Sequence, residues 1–200
     1  MAGAEPTERV CLVATSQALF CDAGRYTSGP VNWATVVRLF MTRPGFRASC
    51  IYRVAHSLRA GGAVVLPKVL ERVILYTCLC TISSDATLGE ALLLPHPIGI
   101  VIGAGTVTGR GCTIQQSVSL GGNYDRLRDG RSSPTLGDDV ALSAGAVVVG
   151  PLHIGDRTLV GANVVVTRDV GPDVVLKSAP AIEIQKQQWK AKRDTRAGGG

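Results

Sequence analysis

An aliphatic residue recurs at every sixth position from Leu136 onward: Leu136, Leu142, Val148, Ile154, Val160 and Val166. A period of six fits neither an amphipathic helix nor a lone alternating strand. The residue after each aliphatic is often glycine (Gly137, Gly155, Gly161), and the residue four after it is small or branched (Val140, Ala146, Leu152, Thr158, Val164, Val170). Six residues supply one short strand and one turn, which is one side of a triangular prism. Such hexapeptide repeats are the sequence signature of parallel β-helices. No single turn can bury its own apolar face, so neighbouring turns must stack.

The same phase runs upstream through Ile82, Leu88 and Leu94, and again through Ile102, Thr108, Ile114 and Leu120. Two breaks interrupt it. Two extra residues lie between Leu94 and Ile102, and a polar stretch, GGNYDRLRDGRSSPT, separates Leu120 from Leu136. A stacked coil has no interior room for extra residues, so both must loop outward. Insertions of this kind carry the binding face of many repeat proteins.

Composition agrees with a narrow aliphatic prism: 46% of residues are hydrophobic but only 4% aromatic. The net charge of +6 suits an anionic ligand such as a nucleotide, and equally suits plain solubility. No RNA-binding motif accompanies it, so nucleic acid is not expected. Cys11, Cys21, Cys50, Cys78, Cys80 and Cys112 are irregularly spaced, which argues against a disulfide scaffold or zinc site and for packed thiols in a reducing, cytoplasmic setting. The N-terminus lacks the basic-then-apolar pattern of a signal peptide. The apolar run from Val64 to Ile82 is broken by Pro67, Lys68, Glu71 and Arg72, so it does not read as a membrane span.

Ahead of the repeats, helices are expected over Glu8–Phe20, Asn32–Met41, Phe46–Leu58 and Pro67 to about Cys80, separated by Gly and Pro breakers. The chain therefore divides into a helical segment (1–80), a β-helix (81–176) and a polar tail (177–200), helical around Trp189 and then frayed. Mainly β architecture with a helical lead-in is the expected fold class.

Three histidines are present. His56, on an apolar helix near Tyr52, reads as structural. His153 falls at an outward hexad position and reads as exposed. His96 interrupts the repeat in LLLPHPIGIVIG, between Pro95 and Pro97, which fix the local backbone. A neutral imidazole at a phase break is suited to taking a proton from a hydroxyl or amine. Pro–His–Pro is equally readable as a rigid turn. Gly121 and Gly122, in QQSVSLGGN, permit close approach of a ligand to backbone N–H groups, which can steady an oxyanion.

The segments LLLPHPIGIVIG and QQSVSLGG, the repeats that follow, and the lead-in PGFRASCIYRVAHSL together resemble the serine acetyltransferase family over roughly residues 44–182. The resemblance implies a left-handed β-helix, against the usual right-handed crossover rule. It implies a homotrimer, with pairing of trimers into a hexamer left open, and active sites between subunits. Acetyl-CoA would be the co-substrate, with no metal, and a small molecule the acceptor. His96 would be the general base and Gly121 and Gly122 would lie beside the thioester. Ser143, Ala144 and Gly145 would contact the pantetheine arm, followed by Gly161 and Ala162.

The chain departs from the family at the acceptor side. Thr81 stands fifteen residues before His96, where the family carries a carboxylate. Pro95 replaces a second acid, Ser133 replaces a second histidine before Pro134, and Arg131 stands one position away from the usual basic residue. These four remain the candidate acceptor-binding positions of a divergent member. Three consequences are open: Glu90 or Asp85 orients His96 instead, a backbone carbonyl holds the ring, or activity is weakened.

The competing functions are acyl transfer to L-serine or to another hydroxyl or amine, zinc hydration of the γ-carbonic anhydrase kind, and a non-catalytic scaffold. Zinc hydration needs three imidazoles on one metal, and His56 precedes the repeats. The family's C-terminal isoleucine is missing, so a complex with cysteine synthase is not expected.

Overall fold

The structure is a computed structural model that describes residues 6–179. Four helices precede the repeats: α1 (Pro6–Gly24), α2 (Trp33–Thr42), α3 (Pro44–Ala60) and α4 (Val65–Cys78). Asn32 caps α2, its side-chain oxygen accepting the Thr35 N–H at 2.9 Å. Proline opens α3, where its missing N–H costs nothing. α4 starts two residues ahead of the expected Pro67, because its first turn tolerates proline. The expected helix around Trp189 lies outside the described residues.

Thirteen short strands follow among the described residues, wound as a left-handed parallel β-helix with three sheets. The first face stacks β1 (Thr81–Ile82), β3 (Val101–Ile102), β6 (Ser119–Gly121), β9 (Val147–Val149) and β12 (Val165–Val166). The second stacks β2 (Thr87–Leu88), β4 (Val107–Thr108), β7 (Thr135–Leu136) and β10 (His153–Ile154). The third stacks β5 (Thr113–Ile114), β8 (Ala141–Leu142), β11 (Leu159–Val160) and β13 (Val175–Leu176). Every pairing between these strands is parallel, and Leu93 extends the third face by a bridge to Thr113.

The six-residue period explains this register. Each hexad aliphatic points inward and its predecessor outward, so Ile82, Ile102, Leu120, Val148 and Val166 line one wall at 3% exposure or less. The corners between faces repeatedly need left-handed backbone. Glycine supplies it at Gly99, Gly105, Gly111 and Gly145, and Ser117, Asp139, Asn163 and Asp173 adopt it with positive φ.

The first coil has no coil above it, so its outward N–H and C=O groups would be an open sheet edge. Side chains from the helical segment take their place. Glu71 accepts the Ser84 N–H at 2.7 Å, and His56 Nδ1 lies 3.0 Å from Ser84 O. The Tyr52 hydroxyl donates to Ala86 O and accepts the Leu88 N–H. Arg53 donates to Leu88 O and Gly89 O, Asp22 accepts the Leu92 N–H, and the Tyr26 hydroxyl takes both polar groups of Leu94. The helices thus act as a polar lid that completes the top of the prism. His56 is structural as expected, stacked on Tyr52 with ring centroids 5.6 Å apart.

Candidate active site on one corner of the prism

The corner joining the third face to the first holds both the predicted base and the predicted coenzyme-contacting residues. Three backbone bonds define it: Ser117 N–H to Ile98 O, Gly145 N–H to Gln116 O, and Asn163 N–H to Ala144 O, each 3.0 Å. His96, Gln116, Ala144 and Ala162 each stand two residues after a buried aliphatic of the third face (Leu94, Ile114, Leu142, Val160). Successive coils rise by about 4.8 Å, so Ile98 sits roughly 10 Å along the corner from Ala144 and roughly 14 Å from Ala162, and His96 lies in the two-residue insertion just ahead of Ile98. Ser143, Ala144, Gly145 and Gly161 are half-buried on this ridge and Ala162 is exposed. An extended, flexible ligand arm laid along the corner passes all of them.

His96 is exposed, and its ring has no hydrogen-bond partner among the described residues. The carboxylates that formed one of the three alternatives do not serve it. Asp85 is held by Arg59 at 2.7 Å and Lys68 at 3.2 Å, and Glu90 accepts from the Cys21 thiol and faces Arg110 at 3.9 Å. The Arg59 bond holds the Asp85 carboxyl below its usual range. Both acids lie on other corners, which sequence distance could not reveal. The backbone around His96 is held instead. Leu94 is clamped by Tyr26, Ile98 O accepts from Ser117, and Gly99 N–H donates to Leu79 O.

The buried thiols are poorly suited to act as nucleophiles. Burial pushes Cys112 up to about 11, and Cys80 and Cys50 up to about 12. Cys21, Cys50, Cys78, Cys80 and Cys112 are free thiols.

Gly121 and Gly122 lie at the next corner, joining the first face to the second. Gly121 is the last residue of β6 opposite Val149, and its carbonyl accepts the Gly150 N–H. The alternation of that ladder directs the Gly121 N–H toward the neighbouring strand. Gly122 lies past the strand, and its N–H has no acceptor among the described residues. Of the two expected donors, Gly122 is therefore the free one. Gly122 is five steps along the chain from Ser117, about 17 Å when extended. The His96 column and the Gly122 donor thus occupy opposite edges of the first face.

The polar insertion 122–133 leaves from this second corner. Arg128 anchors it through Asp169 at 2.6 Å, a bond that holds the Asp169 carboxyl below its usual range. An open pocket of about 600 Å³ lies beneath it, edged by Arg126, Arg128, Arg168 and Asp169. Arg131 is exposed, its backbone paired with Arg128. His153 is exposed as expected, near Arg131 in a second hollow. Ser133 is 4% exposed and its hydroxyl donates to Ala104 O at 2.7 Å. That bond spends the hydroxyl on the fold. Thr81 is exposed on β1, its N–H in the ladder to Ile100 O, and Pro95 is half-buried beside His96.

Gln115, Gln116 and Ser117 belong to the same ridge and were not singled out in the sequence. Gln115 Oε1 accepts the Ala144 N–H at 3.1 Å. The hexad phase carried the signal, since every residue two after a third-face aliphatic falls on this corner.

The pattern described as Bacterial transferase hexapeptide (six repeats) matches residues 133–168. A serine acetyltransferase of Helicobacter pylori (strain J99) is 34% identical over 145 residues, covering 72% of this chain and 84% of that protein. One of Synechococcus elongatus is 35% identical over 144 residues, but the chain spans only 58% of its length. A solved serine acetyltransferase in complex with CoA superposes with a TM-score of 0.73 at 25% identity, covering 88% of this chain and 72% of that one.

Proposed function

Because the chain belongs to the serine acetyltransferase family, we propose that it transfers the acetyl group of acetyl-CoA to the hydroxyl of a small acceptor, with His96 as general base. The observation that carries this reading is one corner that holds the exposed His96, in the insertion just ahead of Ile98, at the head of the stacked Ile98, Gln116, Ala144 and Ala162. The coenzyme's pantetheine arm lies along Ser143, Ala144, Gly145, Gly161 and Ala162, and its thioester reaches His96.

The chemistry is a direct transfer. His96 takes the proton of the acceptor hydroxyl as its oxygen attacks the thioester carbonyl. The resulting oxyanion accepts a hydrogen bond from the Gly122 N–H. Collapse breaks the carbon–sulfur bond, and the imidazolium returns its proton to the departing thiolate. The ester and free CoA leave, and no group on the protein is acylated.

His96 and Gly122 lie on opposite edges of one face, so one protomer's column must meet another's second corner. A threefold arrangement of prisms does this at each of three clefts, and a homotrimer is the assembly we propose, in a reducing, cytoplasmic compartment. Arg126, Arg128 and Arg131 of the insertion then lie across the neighbouring column, where they favour anionic ligand groups. The second reading, an acceptor other than L-serine, is favoured by the buried Ser133 hydroxyl and by the absence of any carboxylate on the His96 ring among the described residues.

Calorimetry with CoA, followed by acetyl-transfer assays with L-serine first and other hydroxyl compounds after, tests the proposal. The His96→Ala variant should bind CoA as the wild type does and lose about 10²- to 10⁴-fold in kcat. Full transfer by that variant, or no CoA binding by the wild type, ends it.

A further inference from the structure

We propose that Tyr26 is a positioning residue for His96, doing through the backbone what a carboxylate on the imidazole would otherwise do. This rests on the reading of His96 as the base.

One phenol holds both polar groups of one residue. The Leu94 N–H donates to Tyr26 Oη at 3.0 Å, and the Tyr26 hydroxyl donates to Leu94 O at 3.1 Å. The phenol is itself fixed. Its ring meets Phe46 edge-on at 5.6 Å, and burial raises its pKa far above the ordinary tyrosine value, so it stays protonated and able to donate. Gly45 closes the contact from α3. A Cβ there would collide with the Leu94 carbonyl and lie 3.0 Å from Tyr26 Oη.

Leu94 is two residues from His96, and the link is stiff. Pro95 and Pro97 have fixed φ, and Leu94 and His96, each preceding a proline, are confined to extended backbone. A displacement at Leu94 therefore passes to the imidazole instead of being absorbed. On the far side, Ile98 and Gly99 are pinned by Ser117 and Leu79. The ring is placed from both ends without being touched.

The alternative is that Tyr26 only caps the first coil. Tyr52 provides an internal control, because its hydroxyl makes the same pair of bonds, to Ala86 O and from the Leu88 N–H, on the same coil but ahead of the second face. Tyr26→Phe and Tyr52→Phe remove equivalent caps, and only the first lies beside the base.

The experiment compares both variants with the wild type by thermal midpoint, acetyl-transfer kinetics and imidazole ¹H–¹⁵N spectra, in which three histidines are easily assigned. Both variants should lower the midpoint. Only Tyr26→Phe should lower kcat, by about 10- to 100-fold, with KM for acetyl-CoA within about twofold. The apparent pKa of its pH–rate profile should not move, because a neutral hydroxyl is removed. Its His96 resonance should broaden or shift, while that of Tyr52→Phe should not. Equal kcat losses in the two variants, or an unchanged His96 resonance in Tyr26→Phe, overturn the proposal. A wild type without acetyl transfer defeats the functional reading alone, and the spectra then decide the placement.

Discussion

Asp22 and Arg53 meet as a bidentate pair in the interior, Arg53 Nε to Asp22 Oδ2 at 2.7 Å and Arg53 Nη2 to Asp22 Oδ1 at 2.8 Å. Their side chains are 0% and 7% exposed. The pair joins α1 to α3, and each member also bonds the first coil, at Leu92 N–H and at Leu88 O and Gly89 O. The Ser49 hydroxyl donates to the same carboxylate at 2.9 Å.

Removing one partner leaves the other charged and buried. Asp22→Ala should destabilise the protein by about 3–5 kcal/mol, more than the pair itself contributes. Urea denaturation measures it. A double variant lacking Arg53 as well should recover part of the loss, and strict additivity would contradict the coupling.

Acid should loosen the lid at Glu71. Burial alone would raise this carboxyl, but the Ser84 hydroxyl and N–H, together with Lys68, outweigh it and hold the folded-state pKa below the ordinary value. A carboxylate depressed in the folded state stabilises above its unfolded pKa and loses that contribution as pH falls through the folded one. The thermal midpoint should therefore be flat near neutrality and decline below about pH 4. Glu71→Gln should start lower and decline less over that range. Identical profiles would remove Glu71 from the account.

Glycine at 109 is required by stacking. A Cβ there would lie 2.6 Å from Gly137 C and 2.7 Å from Asp138 N, both backbone atoms of the next coil. Gly109→Ala should cost about 1–3 kcal/mol by overpacking. Gly171→Ala, where nothing lies within 4 Å, should be tolerated. Parallel chemical-denaturation curves distinguish the two.

The insertion 122–133 is held from the lower coils through Arg128 and Asp169, which are 57% and 50% exposed. An ion pair that exposed contributes little to global stability. Asp169→Asn should leave the midpoint nearly unchanged yet speed tryptic cleavage after Arg126, Arg128 or Arg131, because loop tips are cut where they detach. Unchanged cleavage kinetics would show that the loop is anchored elsewhere.

Much of the solenoid was legible because its information is local. The inward positions of Leu136, Leu142, Val148, Ile154, Val160 and Val166 follow from a fixed step, and each is 3% exposed or less. The same phase puts Gln116 in register with Ala144 and Ala162, which the family resemblance had singled out. Glu90 and Asp85, one of three open alternatives for orienting His96, drop out for the opposite reason. Proximity along the chain to His96 says nothing about which prism corner a residue occupies.

The sequence by itself determined the coil, its phase, its two interruptions and the histidine at the first of them, since a six-residue period admits one way of burying its aliphatics. Only the tertiary structure decided that Tyr26, Asp22, Tyr52 and Arg53 would close the first coil. Those bonds join residues 34 to 70 positions apart, and they form because an open edge leaves N–H and C=O groups that must find partners. No periodicity records that requirement.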